Sequence, residues 1–560
     1  SALTSEALLR LARALDPTRV VIDNSGGSMA IDQDFGWVDR ATAVPSRETE
    51  RQEIQDVHIY IGAPISPPVY EWLRTLGSSD LPFDLAAHDF GSNAMLDKWN
   101  HDLRAYRGKI FVSELGCGGM ADLDEVVAGY QDQTHLLDAQ EMIAFRDSLY
   151  EGFAARKLDR LFGSVRHFVA ATQALQAAGL TRQLEALLVN PRVSGYLVTQ
   201  LNDVSWEFHA GLLDHWRNPK PAYHAVKRLN LPHCVILKAA TPVATCGEQV
   251  EVRLTLVNQV SLPDQAQIHL AVYDPQGTEI ATSLRPVAGA GGINELGVIP
   301  LQTGLVAGEY RVAARLVTGP ETLAESAEVV LALPAVELAE ITADIELVGP
   351  FPDFMGSSQQ REGESHRRAG TGAGHFPMYL AASPASLTGA DWQHLLAEVE
   401  RGRVAVIGPL HGRDVIAQRV LHDRGVKVQL HYGIGNWMGC YHWNPASELF
   451  AGLPANRVAG EAYVDVLPRY VLSELGGDVL AGSVRNTQTR REPAAMVWYS
   501  DIEVVRLGRG VLFFCQYRIF DQTSANPLAA RLLYNLIQVA QRYQADADAP
   551  VSDKQEANKG

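Results

Sequence analysis

The chain is poor in cysteine, in long apolar runs and in positive charge, and each shortage excludes a class of protein. Its 560 residues include only five cysteines, at spacings that match neither a disulfide framework nor a zinc motif. No apolar stretch reaches the roughly 18 residues that a membrane-spanning helix needs. The net charge of −17 argues against nucleic acid and anionic membranes as partners, because both bind basic surfaces. A neutral substrate remains compatible with this charge.

The start of the sequence and its thiols say little about the compartment. Residues from Ser1 onward lead directly into an amphipathic helix rather than a basic and then apolar leader, so no signal peptide is expected. Cys234 and Cys246 are near enough in sequence to pair, and free buried thiols are the alternative. Both a cytoplasmic and a secreted location are compatible with these features.

Residues 1–232 alternate between helical patterns and short apolar strands. A helical stripe at residues 8–15 is followed by predicted strands at 20–22, 57–62, 109–114 and 195–202, with helices such as 137–160 and 165–180 between them. Buried strands that alternate with helices form a parallel sheet or barrel. A closed barrel of this type has eight strands, and only four are visible. We therefore predict that residues 1–232 are the C-terminal half of a (β/α)8 TIM barrel.

The rest of the chain has a different pattern. Residues 233–335 show period-two alternation and turn signals, which predict an immunoglobulin-like β-sandwich. Residues 336–545 return to α/β, with strands at 404–408, 426–430 and 510–515, and predict a flavodoxin-like, doubly wound domain. We expect a mobile loop at 356–374 and a disordered tail at 546–560. The predicted fold class is multidomain α/β plus all-β.

Glu114 is the clearest candidate for chemistry. It lies in the run Phe111-Val112-Ser113-Glu114-Leu115-Gly116, where an apolar strand ends in a carboxylate and a glycine. Catalytic groups of parallel β/α barrels lie at the carboxyl ends of the strands. Retaining glycosidases use two carboxyl groups about 5–5.5 Å apart, one as nucleophile and one as acid/base. Glu114 fits the nucleophile by position, and a solvated or salt-bridged glutamate is the alternative.

Four ordered segments resemble the catalytic domain of family 2 glycoside hydrolases, the β-galactosidase, β-glucuronidase and β-mannosidase group. The segments are Leu15-Asp16-Pro17-Thr18-Arg19-Val20-Val21, Val57-His58-Ile59-Tyr60, the run around Glu114, and residues 196–204 continued by Trp206-Glu207 and Arg217-Asn218-Pro219-Lys220. The resemblance covers residues 1 to about 335 and implies barrel strands five to eight followed by a sandwich. It implies a retaining β-glycosidase with a carbohydrate substrate and Glu114 as nucleophile. We expect neither a cofactor nor a metal.

The resemblance also implies a missing half. The family's acid/base is a glutamate that follows asparagine at the end of strand four, yet no Asn-Glu pair precedes Leu15, and Glu6 lies inside the first helix. We expect an N-terminal portion, or a partner chain of a split enzyme, to supply barrel strands one to four and the acid/base. A non-catalytic carbohydrate-binding or scaffold protein derived from this fold is the alternative function.

Five further residues are predicted to bind the substrate. His58 and Tyr60 share one face of their strand, and the resemblance implies that a tyrosine at this position contacts the nucleophile or the sugar. Trp206 is a candidate platform under a pyranose ring, and Asn202 and Glu207 are candidates to bind hydroxyl groups. For His58 and Tyr60 the alternative is packing inside the barrel, and for Trp206 it is packing against the sandwich.

The last α/β domain resembles a glutamine-amidotransferase-like domain. An amidotransferase nucleophile would be a cysteine on a strand-to-helix elbow, which neither Cys440 nor Cys515 matches, so we predict a non-catalytic role in assembly or at the rim of the active site. Amidotransferase activity of this domain is a third, separate hypothesis. A role of this domain in assembly is compatible with a homo-oligomer. Two other features are candidates for binding: the loop 408–412 for an anion, and an aromatic cluster, with an ordinary packed loop as its alternative. The cluster comprises Trp437, Tyr441, His442 and Trp443.

Overall fold

The computed structural model describes most of the chain. The described residues are 2–19, 21, 54–78, 109–204, 207–287, 291–338, 345–349, 366–368, 378–412, 414–433, 439–487 and 493–548. None of the helices in these ranges is long and apolar enough to cross a membrane. All five cysteines lie in these ranges as free thiols, so Cys234 and Cys246 are not paired.

The first part of the chain contains a three-stranded parallel sheet covered by helices. Its strands are β1 (Ile54–Tyr60), β2 (Lys109–Gly116) and β3 (Val193–Val198), in that order. The helices are α1 (Ala2–Leu15), α2 (Pro67–Thr75), α3 (Leu123–Gly129), α4 (Leu137–Ala155), α5 (Asp159–Phe162), α6 (Val165–Leu188) and α7 (Pro221–Leu229). Helices α2, α6 and α7 pack an apolar cluster against the sheet that includes Trp72, Leu180 and Leu229.

The sheet agrees in part with the predicted half barrel. Three of the four predicted strands are present, and the described residues contain no closed barrel. The predicted strand 20–22 lies outside the described residues apart from Val21. The predicted strand 195–202 ends early at Val198, because the chain then turns into a loop in which Asn202 forms a bridge to Leu213.

Residues 233–333 form two facing β-sheets around one apolar core. The strands are β4 (His233–Ala239), β5 (Val243–Thr245), β6 (Gln249–Asn258), β7 (Gln267–Tyr273), β8 (Glu279–Pro286), β9 (Gly292–Gln302), β10 (Gly308–Thr318) and β11 (Glu321–Leu333). One sheet has the order β4-β6-β9 and the other β5-β11-β10-β7-β8. The alternation in the sequence is explained by the burial of β6, whose Val250, Val252 and Leu254 face the core.

The remaining strands form one mixed sheet with helices on both faces. The strands are β12 (Ile345–Val348), β13 (His366–Arg368), β14 (Met378–Ala381), β15 (Val404–Ile407), β16 (Leu430–Tyr432), β17 (Tyr441–Asn444), β18 (Arg457–Val458), β19 (Tyr470–Ser473), β20 (Asp478–Asn486), β21 (Met496–Leu507) and β22 (Gly510–Cys515). Strands β12, β14, β15 and β22 are parallel neighbours, and the sheet continues antiparallel from β22 to β21. Helices α8 (Gly389–Glu400) and α9 (Val415–Asp423) cover one face, and α10 (Pro527–Asp548) covers the other.

Three predictions for this last part were wrong in detail. The strand expected at 426–430 is reduced to Leu430, the first residue of β16, because its partner is the antiparallel strand β19. The loop expected at 356–374 contains the strand β13, which pairs with β12. The first residues of the tail expected at 546–560 are helical, because α10 continues to Asp548; residues 549–560 lie outside the described residues.

A buried cluster of charges joins the three parts of the chain. Arg182 on α6 forms ion pairs with Glu328 on β11, with Glu185 on its own helix, and with Glu461, which lies between β18 and β19. Lys238 on β4 also lies 3.4 Å from Glu328. Because Arg182 and Glu328 are buried, this cluster fixes the helical layer of the first part against both later sheets.

Candidate active site

Glu114 lies near the carboxyl end of the central strand β2, at a β-bulge. Val57 pairs with Val112, but His58 pairs with Glu114, so Ser113 is an extra residue opposite β1. The register to β3 shifts over the same residues, between Val112 and Leu115. A bulge breaks the alternation of a strand and redirects its side chains. Val112 and Leu115 are therefore both buried, while the Glu114 side chain is 41% exposed.

Two side chains from β1 contact this carboxylate on the same oxygen. The hydroxyl group of Tyr60 donates a hydrogen bond to Glu114 Oε2, and His58 Nδ1 lies 3.3 Å from that atom. His58 and Tyr60 alternate along β1, which places both on the face where Glu114 lies. The structure thus brings together three of the predicted site residues.

The hydroxyl of Tyr60 stays protonated in this environment. Burial raises its pKa, and the hydrogen bond to Glu114 raises the pKa further. A second hydrogen bond, which the Tyr60 oxygen accepts from the side chain of Thr199 directly after β3, lowers the pKa. Tyr60 is therefore a fixed donor to the carboxylate at neutral pH, and it links the ends of all three strands.

Glu207 provides a second carboxyl group beside Glu114. It lies in the loop after β3, half-buried. Burial raises the pKa of Glu207, and the negative charge of Glu114 raises it further. The sequence predicted Glu207 as a hydroxyl-binding residue; the structure places it within electrostatic range of the candidate nucleophile.

A buried ion pair holds the loop that carries Glu207. Lys220 Nζ lies 3.2 Å from Asp203 Oδ2 and also donates to the carbonyl oxygens of Gly119 and His209. Asp203 in turn accepts a hydrogen bond from the backbone N–H of Gly211. Burial raises the pKa of Asp203 to about 6, although the charge of Lys220 opposes that rise. Sequence reasoning missed this pair, because nothing local in the sequence shows that Lys220 is buried.

Asn202 and Trp206 are the remaining predicted site residues. The side chain of Asn202 donates to the neighbouring carbonyl oxygen of Asp203, and its backbone bridges to Leu213. These contacts organise the loop, and the structure records none between Asn202 and Glu114 among the described residues. Trp206 lies outside the described residues, so its predicted role as a sugar platform stays a prediction.

The candidates in the last domain do not form an open site. Tyr441, His442 and Trp443 are buried in β17, where Tyr441 and Trp443 pack with the helical layer of the first part. The prediction that they form a binding cluster was therefore wrong for these three, and Trp437 lies outside the described residues. Burial raises the pKa of Cys440 and of Cys515 to about 12, so neither thiol is activated.

Backbone N–H groups of the loop that follows β15 already donate to protein acceptors. The backbone N–H of Leu410 donates to Gln516 Oε1, and that of His411 donates to Asp414 Oδ2. Within the ranges that the structure covers, no group of histidine, cysteine, aspartate and glutamate side chains has the arrangement of a metal site.

Comparisons with known proteins add structural neighbours at low similarity. No protein-family model and no curated protein match the chain. Among solved structures, a β-D-mannosidase from Dictyoglomus thermophilum is similar at 15% identity and a TM-score of 0.29, over 48% of this chain and 32% of that protein. An exo-chitosanase from Amycolatopsis orientalis is similar at 16% identity and a TM-score of 0.29, over 48% and 30%.

A third neighbour is an FMN-binding β-glucuronidase from Faecalibacterium prausnitzii, at 13% identity and a TM-score of 0.23, over 59% of this chain and 38% of that protein. These neighbours are family 2 glycoside hydrolases. Each similarity spans less than two fifths of the neighbour's length. At these TM-scores the neighbours do not decide what this chain does, and the site geometry has to carry the functional argument.

Proposed function

We propose that this chain carries the nucleophile of a retaining β-glycosidase, and that Glu114 is that nucleophile. The observation that supports the proposal is the arrangement at the carboxyl end of β2. A bulge exposes Glu114 there, Tyr60 donates to it, and Glu207 lies close enough for the two carboxyl groups to influence each other. Two carboxyl groups in different environments are what retaining chemistry requires.

Among the described residues, the contacts of Glu114 are made by one of its two carboxyl oxygens. Tyr60 and His58 both approach Oε2, so Oε1 is the oxygen that attacks the anomeric carbon. In the first step a bond forms between Oε1 and that carbon while the bond to the leaving-group oxygen breaks, and a general acid protonates the leaving oxygen. In the second step a water molecule, deprotonated by the same group, attacks the anomeric carbon and releases Glu114.

Tyr60 and His58 position the carboxylate of the proposed nucleophile, Glu114. A hydrogen bond from Tyr60 fixes the carboxylate plane and compensates its charge before attack. It also lowers the nucleophilicity of Oε2, which favours attack by Oε1. Both residues come from β1, one strand away from Glu114, so the geometry depends on strand pairing rather than on a flexible loop.

A carbohydrate is the proposed substrate, and the remaining barrel strands are proposed to come from an N-terminal portion or a partner chain. The outer edge of β3 supports this second proposal. Among the described residues no strand pairs with that edge, and Leu197 on β3 is 56% exposed. An apolar side chain exposed at an open strand edge is the feature that an additional barrel strand would cover.

Covalent trapping tests the function directly. The full chain is incubated with 2,4-dinitrophenyl 2-deoxy-2-fluoro-β-glycosides of the gluco, galacto and manno series, and the labelled peptide is located by mass spectrometry. We expect one sugar to be attached to Glu114. Glu114→Gln should not be labelled, whereas Glu125→Gln, a surface glutamate paired with Arg166, should be labelled like the unmodified chain.

Two outcomes of this experiment contradict the proposal. Labelling of a different residue shows that Glu114 is not the nucleophile. Binding of the sugars with no covalent label, alone and with an added chain carrying barrel strands one to four, favours the non-catalytic carbohydrate-binding or scaffold protein. Labelling that appears only with the added chain supports a split enzyme and leaves Glu114 as its nucleophile.

A further inference from the structure

A cavity of about 370 Å³ lies where the first part of the chain meets the β-sandwich. Its wall combines the end of α7, the start of β4, and neighbouring segments of β10 and β11. Ligand pockets typically have volumes of about 300–1,000 Å³ and often lie between domains. None of the residues in this wall belongs to β1, β2, β3 or the loops that follow them, so the cavity is separate from the candidate active site.

The cavity lies between two strand edges that have no strand partner among the described residues. Strand β4 pairs only with β6, and β11 pairs with β5 only at Leu331–Leu333, which leaves the first half of β11 open on that side. Arg228 of α7 reaches this open edge, where its Nη1 donates to the carbonyl oxygen of Glu325 at 3.3 Å. The N–H and carbonyl groups of one strand residue point to the same edge. The wall therefore also includes the backbone N–H donor of Glu325.

Two guanidinium groups line the cavity, those of the half-buried Arg228 and the exposed Arg315 on β10. Arg315 Nη2 lies 2.9 Å from His269 Nδ1, which must accept the hydrogen bond because a guanidinium group can only donate. Each guanidinium group has five N–H donors, and these contacts use one donor of each. In the described part of the chain neither group forms an ion pair with a carboxylate. Neutral acceptors thus hold both groups in place.

Glu325 limits the charge that the cavity can accept. It lines the cavity and lies opposite Arg315 in the register of β10 and β11, without an ion pair among the described residues. Two guanidinium groups and one carboxylate leave one net positive charge on the wall, with histidine counted as neutral. A ligand with a single negative charge balances this wall, whereas a dianion exceeds it. The planar fork of arginine matches the two oxygens of a carboxylate.

The rest of the wall is largely apolar. The apolar side chains that line the cavity are Leu229, Leu231, Val235, Leu323 and Ala324. A mostly apolar wall with a few polar groups at one place is typical of sites that bind a small organic molecule in one orientation. The apolar residues therefore suit the body of a ligand whose charged end lies at the two arginines.

We propose that this cavity binds a small organic monocarboxylate with an apolar body. Arg228 and Arg315 bind the carboxylate, and the apolar wall contacts the body. The proposal is independent of the proposed glycosidase function. Because Arg228 lies on α7 and Arg315 on β10, the bound carboxylate links the first part of the chain to the β-sandwich. A ligand that binds only the folded chain stabilises it, so the ligand should raise the urea concentration at which this junction unfolds.

Calorimetric titration of the full chain with three small probes tests the ligand class. Phenylacetate has the proposed chemistry, phenylacetamide has the same shape without the charge, and phenyl phosphate is a dianion at pH 7.5. We expect phenylacetate to bind once per chain with a Kd below about 1 mM. Phenylacetamide should bind at least about tenfold more weakly, because it lacks the charge-assisted hydrogen bonds. Phenyl phosphate should bind more weakly than phenylacetate, because Glu325 repels its second charge.

Variants of the wall locate the site. Arg228→Met and Arg315→Met should each weaken phenylacetate binding about 10- to 100-fold, since each removes hydrogen bonds to a charged group. Arg311→Met is the matched control, because Arg311 is also exposed on β10 but stacks over Tyr273 and does not line the cavity. It should bind phenylacetate like the unmodified chain. Glu325→Gln should bind phenylacetate about threefold more tightly, because it removes a like charge; a loss of folding cannot produce that gain.

Three results would overturn the proposal. The first is a Kd for phenylacetate above about 1 mM, or equal binding of phenylacetamide. The second is unchanged binding of phenylacetate by both Arg228→Met and Arg315→Met, which places the ligand elsewhere. The third is tighter binding of phenyl phosphate than of phenylacetate, which contradicts the single negative charge. None of these results affects the glycosidase proposal, because Glu114 does not line the cavity.

Discussion

Replacement of Arg182 by methionine should strongly destabilise the contact between the three parts of the chain. Methionine keeps much of the length of the arginine side chain but removes its charge and its five donors. In the structure the cluster contains two cations, Arg182 and Lys238, and three carboxylates, of Glu185, Glu328 and Glu461. The variant leaves one cation for the three carboxylates.

The burial of these groups sets the size of the effect. The side chains of Glu328 and Glu185 are 1% and 2% exposed, and that of Arg182 is 9% exposed. Removal of one partner from a buried ion pair typically costs about 3–5 kcal/mol, and Arg182 serves three partners. We therefore expect a loss of about 4–5 kcal/mol in the urea transition that unfolds this junction. Arg182→Lys, which keeps the charge but not the planar fork, should lose less.

The loss should also depend on pH in a defined direction. Burial raises the pKa of Glu185, even with Arg182 beside it. A carboxyl group whose pKa is higher in the folded than in the unfolded chain stabilises the fold at low pH and loses that contribution as pH rises through the folded value. Removal of Arg182 strengthens this behaviour, so the deficit of Arg182→Met should shrink as pH falls from 7 towards 5.

The assay is urea unfolding followed by tryptophan fluorescence, at pH 7 and pH 5. Arg166→Met is the matched control. Arg166 also forms ion pairs, but its own side chain is 74% exposed. Exposed pairs contribute about 0–1 kcal/mol, so this variant should unfold almost like the unmodified chain. A loss below about 1 kcal/mol for Arg182→Met, or a deficit that grows in acid, would refute the reasoning.

Two further variants test the support of the candidate site. Tyr60→Phe removes the donor to Glu114 and should slow labelling by the activated fluorosugar about tenfold with the fold retained; labelling at the unmodified rate would exclude a role for that hydrogen bond. Lys220→Met leaves the buried carboxylate of Asp203 unpaired and should cost about 3–5 kcal/mol at pH 7. Because the folded pKa of Asp203 is already raised to about 6, the Lys220→Met chain should become more stable from pH 7 to pH 5, as measured by urea unfolding; the opposite trend would contradict this account of the pair.

Much of the fold followed from local patterns in the sequence. The strand at Glu114 was predicted because its apolar run ends at a carboxylate and a glycine, and β2 ends at Gly116 as that pattern suggests. The alternation at Val250, Val252 and Leu254 likewise predicted a strand with one buried face, which is β6. Such patterns are local, since a strand's side-chain period and a helix's caps are set by a few neighbouring residues.

Features that depend on distant partners could not be predicted. Tyr441 and Trp443 were predicted to lie in a binding cluster or a packed loop, yet they are buried in strand β17, where a helical layer from the first part of the chain packs over them. The burial of Lys220 depends on Asp203 and on two carbonyl oxygens from other segments. The bulge at Ser113 is a property of strand register, which the sequence of one strand does not contain.

That bulge also determines where the Glu114 side chain lies. With regular alternation, Val112 and Glu114 would lie on one face of β2, and Ser113 and Leu115 would lie on the other. The extra residue at Ser113 allows Val112 and Leu115 to be buried while Glu114 turns to the open end. Only in that register does Glu114 meet Tyr60 from one neighbouring strand and Glu207 from the loop after the other. The exposure of Glu114 beside Tyr60 therefore depends on one register shift, and a variant that restores the regular register should remove the candidate site.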